Sequence, residues 1–204
     1  LNSMLITVSS VVLTTLCASM ASFYMARCRR RFASLLYSVF MLGLIAPMSL
    51  IPTIKLMQAL SLNNTYVGII VIFAATNMAF SVLLMTGFIK TIPKELDEAA
   101  IIDGCSLPGT LFRIIAPVST PILSTVAILS FIYGYSELVF SVILLNDKTK
   151  FPVSRALMFF TGERVTRMGP VFASIIIAVL PMMILYIFFH EKVQKGMIAG
   201  CVKG

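Results

Sequence analysis

A chain of 204 residues that is 59% hydrophobic and 12% charged, with a mean hydropathy of +1.00, is too apolar for a soluble domain, where about 25% of residues are charged. Its net charge of +8 comes without a basic patch interleaved with aromatic residues, so membrane orientation explains the excess better than nucleic-acid binding.

The charges are clustered, and five uncharged stretches lie between them: Leu1 to Ala26, Phe32 to Ile54, Leu56 to Ile89, Ile114 to Ser136 and Met168 to His190. A helix crosses a bilayer with about 20 residues, and each stretch has at least 23. The expected fold is therefore an all-α, polytopic transmembrane bundle, a single domain over 1–204. Its spans are at about 4–26, 33–53, 66–88, 116–137 and 170–190. Alternating segments of ~10 residues, as in a strand barrel, are absent. The first stretch is not a signal peptide, because its positive charges follow the apolar run instead of leading it. The lack of an initiator Met before Leu1 is read as a fragment or a clipped N-terminus.

Lysine and arginine set the orientation. With the Arg27 to Arg31 cluster inside, Lys90, Lys94, Arg113, Lys192, Lys195 and Lys203 are inside too, ten positive residues against six outside. The N-terminus is then outside, and the C-terminus and residues 90–115 are cytoplasmic. Cys17, Cys28, Cys105 and Cys201 fit no zinc spacing and sit where disulfides are disfavoured, so they read as packing residues. The methionines read as filler of irregular helix contacts, and the lone histidine, His190, as a poor metal ligand.

One polar island interrupts the apolar pattern, Lys94 to Pro117. Pro93 suits a first helical turn, and Glu95, Asp97 and Glu98 place negative charge at a helix N-terminus. Gly104 is a natural left-handed stop. Ser106 caps a second short helix with Pro108 in its first turn. The product is a helix-turn-helix elbow outside the membrane, with an Ala99-Ala100 face small enough for another backbone to approach.

The island resembles the cytoplasmic signature of permease subunits of binding-protein-dependent ABC importers: E-A-A, three residues, G, nine residues, then I-x-L-P. Here Glu98-Ala99-Ala100, Gly104 and Ile114-Ile115-Ala116-Pro117 match, with Ala116 in place of the leucine. The chain is more narrowly similar to the carbohydrate-importing, maltose-permease-like branch, through Asn2-Ser3, the Ile92 to Leu96 opening of the loop and the Ile198 to Gly204 ending. The resemblance implies that Glu98, Ala99, Ala100, Asp103 and Gly104 contact an ATPase subunit, and that Gly200, Val202, Lys203 and Gly204 make a second contact with it. It also implies an ABC ATPase dimer, a second permease subunit and an extracytoplasmic solute-binding protein as partners, in the bacterial inner membrane. ATP and magnesium would be held by the ATPase, with no cofactor bound by this chain.

There are departures. The branch carries a Trp-Asn-acid-Phe run where this chain has Tyr135-Ser136-Glu137-Leu138, and a sixth helix ahead of Asn2 that is not found here. Asn77, Tyr133 and Glu137 are the candidate substrate-pathway residues, since polar groups inside a bilayer normally face a bundle interior or cavity. Ser124, Thr125 and Ser130 are further hydroxyls on the fourth span. The outer loop from Leu145 to Pro170, including Lys148, Lys150, Arg155, Glu163, Arg164 and Arg167, suits contact with a binding protein. No phosphate loop, nucleophile elbow or metalloprotease motif occurs, so the chain is read as non-catalytic. The function expected is translocation of a sugar, polyol or glycerol phosphate. Alternatives are an importer of polyamines, anions or amino acids, or a carrier or scaffold outside the ABC class.

Overall fold

The computed structural model describes residues 1–28, 31–46, 49–160 and 168–201. Arg29, Arg30, Pro47, Glu163, Arg164, Arg167 and the tail residues Val202, Lys203 and Gly204 lie outside the described residues.

Every regular element among the described residues is helical. The chain runs through α1 (Asn2–Arg27), α2 (Arg31–Ile45), α3 (Leu50–Ala59) and α4 (Tyr66–Thr91), then two short helices, α5 (Glu95–Ile102) and α6 (Leu107–Thr110). A π-helical turn, Leu111–Ile115, leads into α7 (Ala116–Val118) and α8 (Thr120–Ser136). Beyond these come α9 (Val139–Leu144), a 3₁₀ turn at Lys148–Lys150, α10 (Val153–Ala156), a second 3₁₀ turn at Leu157–Phe160, and α11 (Met168–Cys201). Among the described residues, α1, α4 and the Val171–Phe189 part of α11 are each long and apolar enough to cross a membrane. The number rises to five if each of two bent helix pairs counts as one span.

The expected span at 33–53 is not one helix but two, α2 and α3. Pro52 has no N–H to donate four residues back, so it falls in the first turn of a new helix, where that donor is not needed. The span expected at 116–137 corresponds to α7 and α8, which meet at Ser119. The segment 107–118 and α8 are bent there by 84°. Pro121 cannot donate to the Pro117 carbonyl, and the Thr120 hydroxyl takes that acceptor instead, at 2.6 Å. The π turn just before has a similar origin, because Pro117 offers no N–H to the Arg113 carbonyl and the helix widens. In α11, Pro181 is inside the helix.

Contacts divide the chain into two compact units: Leu1–Leu13, Met48–Thr76 and Leu129–Phe189 in the first, and Thr14–Pro47, Asn77–Ile128 and His190–Gly204 in the second. In the first unit, Ile6, Met57, Ile69, Ile72, Phe73, Phe140, Leu144 and Leu145 form a core. Small residues let the backbones approach there. A Cβ on Gly134 of α8 would stand 3.4 Å from Phe73 of α4 and 3.5 Å from Ser10 and Thr7 of α1. Lipid tails supply no hydrophobic drive between helices, so close packing and interhelical hydrogen bonds must hold the bundle.

The same unit carries a polar network at the α3–α4 turn. Asn64, with φ 58°, accepts from the Asn146 and Asp147 amides at 2.9 and 3.0 Å and donates its own N–H to Leu144 at 2.8 Å. Lys150 donates to the Asn64 carbonyl at 2.9 Å. Asn2 donates to the Thr149 carbonyl at 2.6 Å, and Ser3 accepts from the Val153 amide at 2.7 Å. Arg155 donates to the carbonyls of Ser141, at 2.6 Å, and Leu145, and lies 3.7 Å from the centre of the Phe151 ring. It caps the C-terminal carbonyls of α9, where positive charge is favoured. Lys150 and Arg155, read from the sequence as contacts for a binding protein, are thus engaged inside the chain.

In the second unit, Ala18, Met25, Val82, Met85, Ile122 and Val126 form a core joined by Leu36, Tyr37 and Phe40 of α2. Ser22 of α1 donates to the Val82 carbonyl of α4 at 3.2 Å. Cys17, expected to pack, is exposed on α1.

Candidate functional site

The elbow begins where α4 stops. Pro93 does not enter the first turn of α5 as expected. It stands two residues before it, where its missing N–H ends the α4 ladder, and Lys94 occupies the N-cap position. Glu95, Asp97 and Glu98 fill the first turn of α5, matching the positive end of the helix dipole.

At its other end α5 closes in a Schellman motif. Gly104, at φ +79°, donates to Ile101 at 3.0 Å, and Cys105 donates to Ala100 at 2.9 Å. Only glycine takes this left-handed conformation without a Cβ penalty. Ser106 then caps α6, accepting from the Gly109 amide at 3.3 Å, and Pro108 lies in the first turn. The stop at Gly104 and the cap at Ser106 are where the sequence puts them.

The surface of the elbow differs from the expectation. Ala100 is 1% exposed and faces inward, so Ala99-Ala100 is not a shared small-residue face. Glu98, Ala99, Asp103 and Gly104 are exposed. Large apolar groups are exposed beside them: Ile101, Ile102 at 85% exposure, Leu107 at 68% and Phe112. Helical spacing accounts for both facts, since turning Ala100 inward leaves Ile101 and Ile102 outside.

Below this tip the elbow is rooted in a cluster of Ile89, Ile92, Leu111 and Ile115, with Phe23, Ala26 and Phe88 packed against it. An ion pair lies beside the root. Arg27 Nε is 2.5 Å from Asp97 Oδ2, and Arg27 Nη1 donates to the Ile92 carbonyl at 3.0 Å. The sequence assigned Arg27 only to orientation and Asp97 only to the helix dipole. The single signal was an arginine at the edge of an apolar run and an acid in the island, which does not specify a pair.

Of the candidate pathway residues, the structure brings two together. The Tyr133 hydroxyl on α8 interacts with the side chains of Thr76 and Glu137. Glu137 is also occupied as a helix cap, accepting from the Val139 and Phe140 amides at 2.8 and 3.3 Å. Thr76 was missed from the sequence. Asn77 follows it on α4, and its carbonyl accepts from Ser81 at 2.8 Å. Thr125 and Ser130 are buried, and Thr125 donates to Pro121 at 2.9 Å. Gly200 lies in α11, while Val202, Lys203 and Gly204 lie outside the described residues.

Comparison with known proteins gives these features a context. The family described as binding-protein-dependent transport system inner membrane component matches residues 10–199. The chain is 31% identical to the melibiose/raffinose/stachyose import permease protein of Bacillus subtilis (strain 168), covering 100% of this chain and 75% of that protein. It is 32% identical to the trehalose/maltose transport system permease protein of Thermococcus litoralis, again over 100% of this chain and 75% of the relative. A chain from the crystal structure of a bacterial ABC transporter involved in the import of the acidic polysaccharide alginate superposes with a TM-score of 0.84. That likeness covers 93% of this chain and 72% of the other at 22% identity, and it bears on the fold. With the matched residues running from the first helix to the last, the chain belongs to the inner-membrane permease family of binding-protein-dependent ABC importers.

Proposed function

We propose that this chain is one of two permease subunits of an ATP-driven importer for a sugar or a related polyol or glycerol phosphate. Relatives named for melibiose, raffinose and stachyose and for trehalose and maltose support the solute class. The observation that carries the reading is the elbow. A pair of short helices with a charged rim exposes Ile101, Ile102, Leu107 and Phe112 at a site rooted in the helix bundle. Clustered exposed apolar residues rimmed by charge mark contact surfaces.

The partner proposed for it is an ABC ATPase dimer, which holds ATP and magnesium. A second permease and an extracytoplasmic solute-binding protein complete the assembly. The elbow and the C-terminus are cytoplasmic, and the Asn64 network with the loop from Leu145 faces outward. Closure of the ATPases displaces the elbow, and Leu111 and Ile115 carry the displacement into α4 and α8. Differential contacts in the two states supply the coupling. Tyr133, Glu137 and Thr76 offer hydroxyl and carboxylate partners for the hydroxyls of a solute.

Purification of the subunit from its native membrane in mild detergent tests the assembly. The proposal expects an ATPase and a second permease to co-purify in defined ratio. Recovery of the folded subunit with neither would contradict it.

A further inference from the structure

We propose that Arg27 is the positioning residue through which the elbow moves α1, and that its ion pair with Asp97 persists while the elbow shifts. The inference rests on the reading of the elbow as the ATPase contact and adds how that contact reaches the first helix.

α5 is loosely packed for an element meant to transmit force. Ala100 is its one buried residue. On the side facing α1 there is a cavity of about 500 Å³, lined by Met20, Phe23 and Tyr24 of α1 and by Ile101, Leu107 and Leu111 of the elbow. Apolar contact between α1 and α5 itself is therefore sparse, since Phe23 and Ala26 pack on the Ile89, Ile92, Leu111 and Ile115 cluster and not on α5. What bridges it is Arg27, in the last turn of α1, with one arm on Asp97 at 2.5 Å and another on the Ile92 carbonyl at 3.0 Å. Both side chains of the pair are largely buried, at 13% and 14% exposure.

Two physical consequences follow. Separating a buried pair leaves an uncompensated charge on each side, which is far more costly than leaving the pair together. The pair therefore holds as α5 is displaced, and α1 must follow. Arg27 Nε and Nη2 and Asp97 Oδ1 are all buried without a hydrogen-bond partner, so the two groups are held as an ion pair with the fork not yet formed. A guanidinium fits a carboxylate with two parallel bonds. Pairing of the remaining arms by rotation of these two side chains tightens the link and leaves the spacing of α1 and α5 as it is.

The test uses the assembled transporter with its ATPase, its native cysteines replaced by serine, and spin labels at Met20→Cys and Ile102→Cys. Because the pair moves α1 with the elbow, the distance distribution between the labels is expected to stay essentially unchanged when Mg-ATP is added. In Arg27→Gln and in Asp97→Asn the link is lost, and Mg-ATP shifts the distribution. The charge-exchanged chain, Arg27→Asp with Asp97→Arg, returns it towards the fixed position. Arg27→Lys keeps the charge without the fork and broadens the distribution, which keeps the test open if the neutral variants fail to assemble. A wild-type distribution that shifts with Mg-ATP, or variants as fixed as wild type, overturns the role of Arg27 while the ATPase is still bound. Absence of the ATPase from the wild-type complex overturns the parent reading and this inference with it.

Discussion

At the scale of single residues, Gly104 and Gly68 resist added bulk for different physical reasons. Gly104 has open space where a Cβ would sit, and its constraint is its φ of +79°. Gly104→Ala should therefore cost about 1 kcal/mol of local stability through the left-handed conformation alone. Membrane insertion should remain, and a bulky side chain there should weaken ATPase recovery. A Cβ on Gly68 would fall on the carbonyl oxygen of Leu62, and backbone cannot yield as a flexible side chain can. Gly68→Ala should thus destabilise more, by about 1–3 kcal/mol. Thermal unfolding of the purified subunit in detergent, with pull-down yield alongside, separates the two effects.

At the scale of elements, the loop following α9 is held by few groups, and each can be tested. Asn64 accepts two amides in a left-handed conformation that asparagine tolerates better than most residues. Asn64→Ala should loosen residues 145–150, costing about 1–3 kcal/mol for the orphaned amides. Faster amide hydrogen exchange confined to that loop would report it. Asp147 holds the adjoining turn, accepting from the Thr149 hydroxyl at 2.7 Å and from its amide at 3.0 Å. The Thr149 hydroxyl, then its amide, with a smaller contribution from Lys150, hold the Asp147 carboxyl below the ordinary value of 3.8. The lower folded value means that the turn keeps its stabilisation above pH 3.8 and loses it as pH falls through the folded value. Exchange at the Thr149 amide should accordingly be flat through neutral and mildly acid pH, once intrinsic rates are removed, and rise only at stronger acidity. Asp147→Asn should abolish that rise.

Elements also show where the sequence was readable. Uninterrupted apolar runs placed α1 and α4 to within a few residues, because burial in lipid imposes length and composition on each helix separately. Gly104 and Ser106 were equally plain, since caps act within one turn. The 33–53 stretch was read as one helix because composition outweighed Pro52, whose missing donor requires a fresh start. Ala100 turning inward, Arg27 pairing with Asp97, and Arg155 closing the end of α9 were not legible. Each joins residues far apart in the chain, or depends on which face of a short helix meets a neighbour. Glu137 illustrates the same limit at closer range. Its charge marked it as a pathway group, but its geometry also makes it a cap for α9.

At the scale of the whole molecule, charge distribution and architecture make one joint prediction about sidedness. With native cysteines replaced by serine, a cysteine at Ile102 should react with a membrane-impermeant thiol reagent only in inside-out vesicles. One at Lys148 should react only in right-side-out vesicles or cells. Labelling of both positions from the same side would contradict the proposed orientation. No residue of the Val171–Phe189 segment of α11 is fully buried by its own chain. That suits the proposed contacts of this subunit with lipid and with a second permease.

The central claim is that the apolar tip of the elbow is where an ATPase drives this permease, and a photo-activatable side chain at position 102 tests it most directly. Irradiated in native membranes, the chain labelled at Ile102, which is 85% exposed, is predicted to form a covalent adduct with an ABC ATPase, while a label at the fully buried Phe73 forms none. Adducts of position 102 with lipid alone, in membranes where the ATPase is present, would contradict the account.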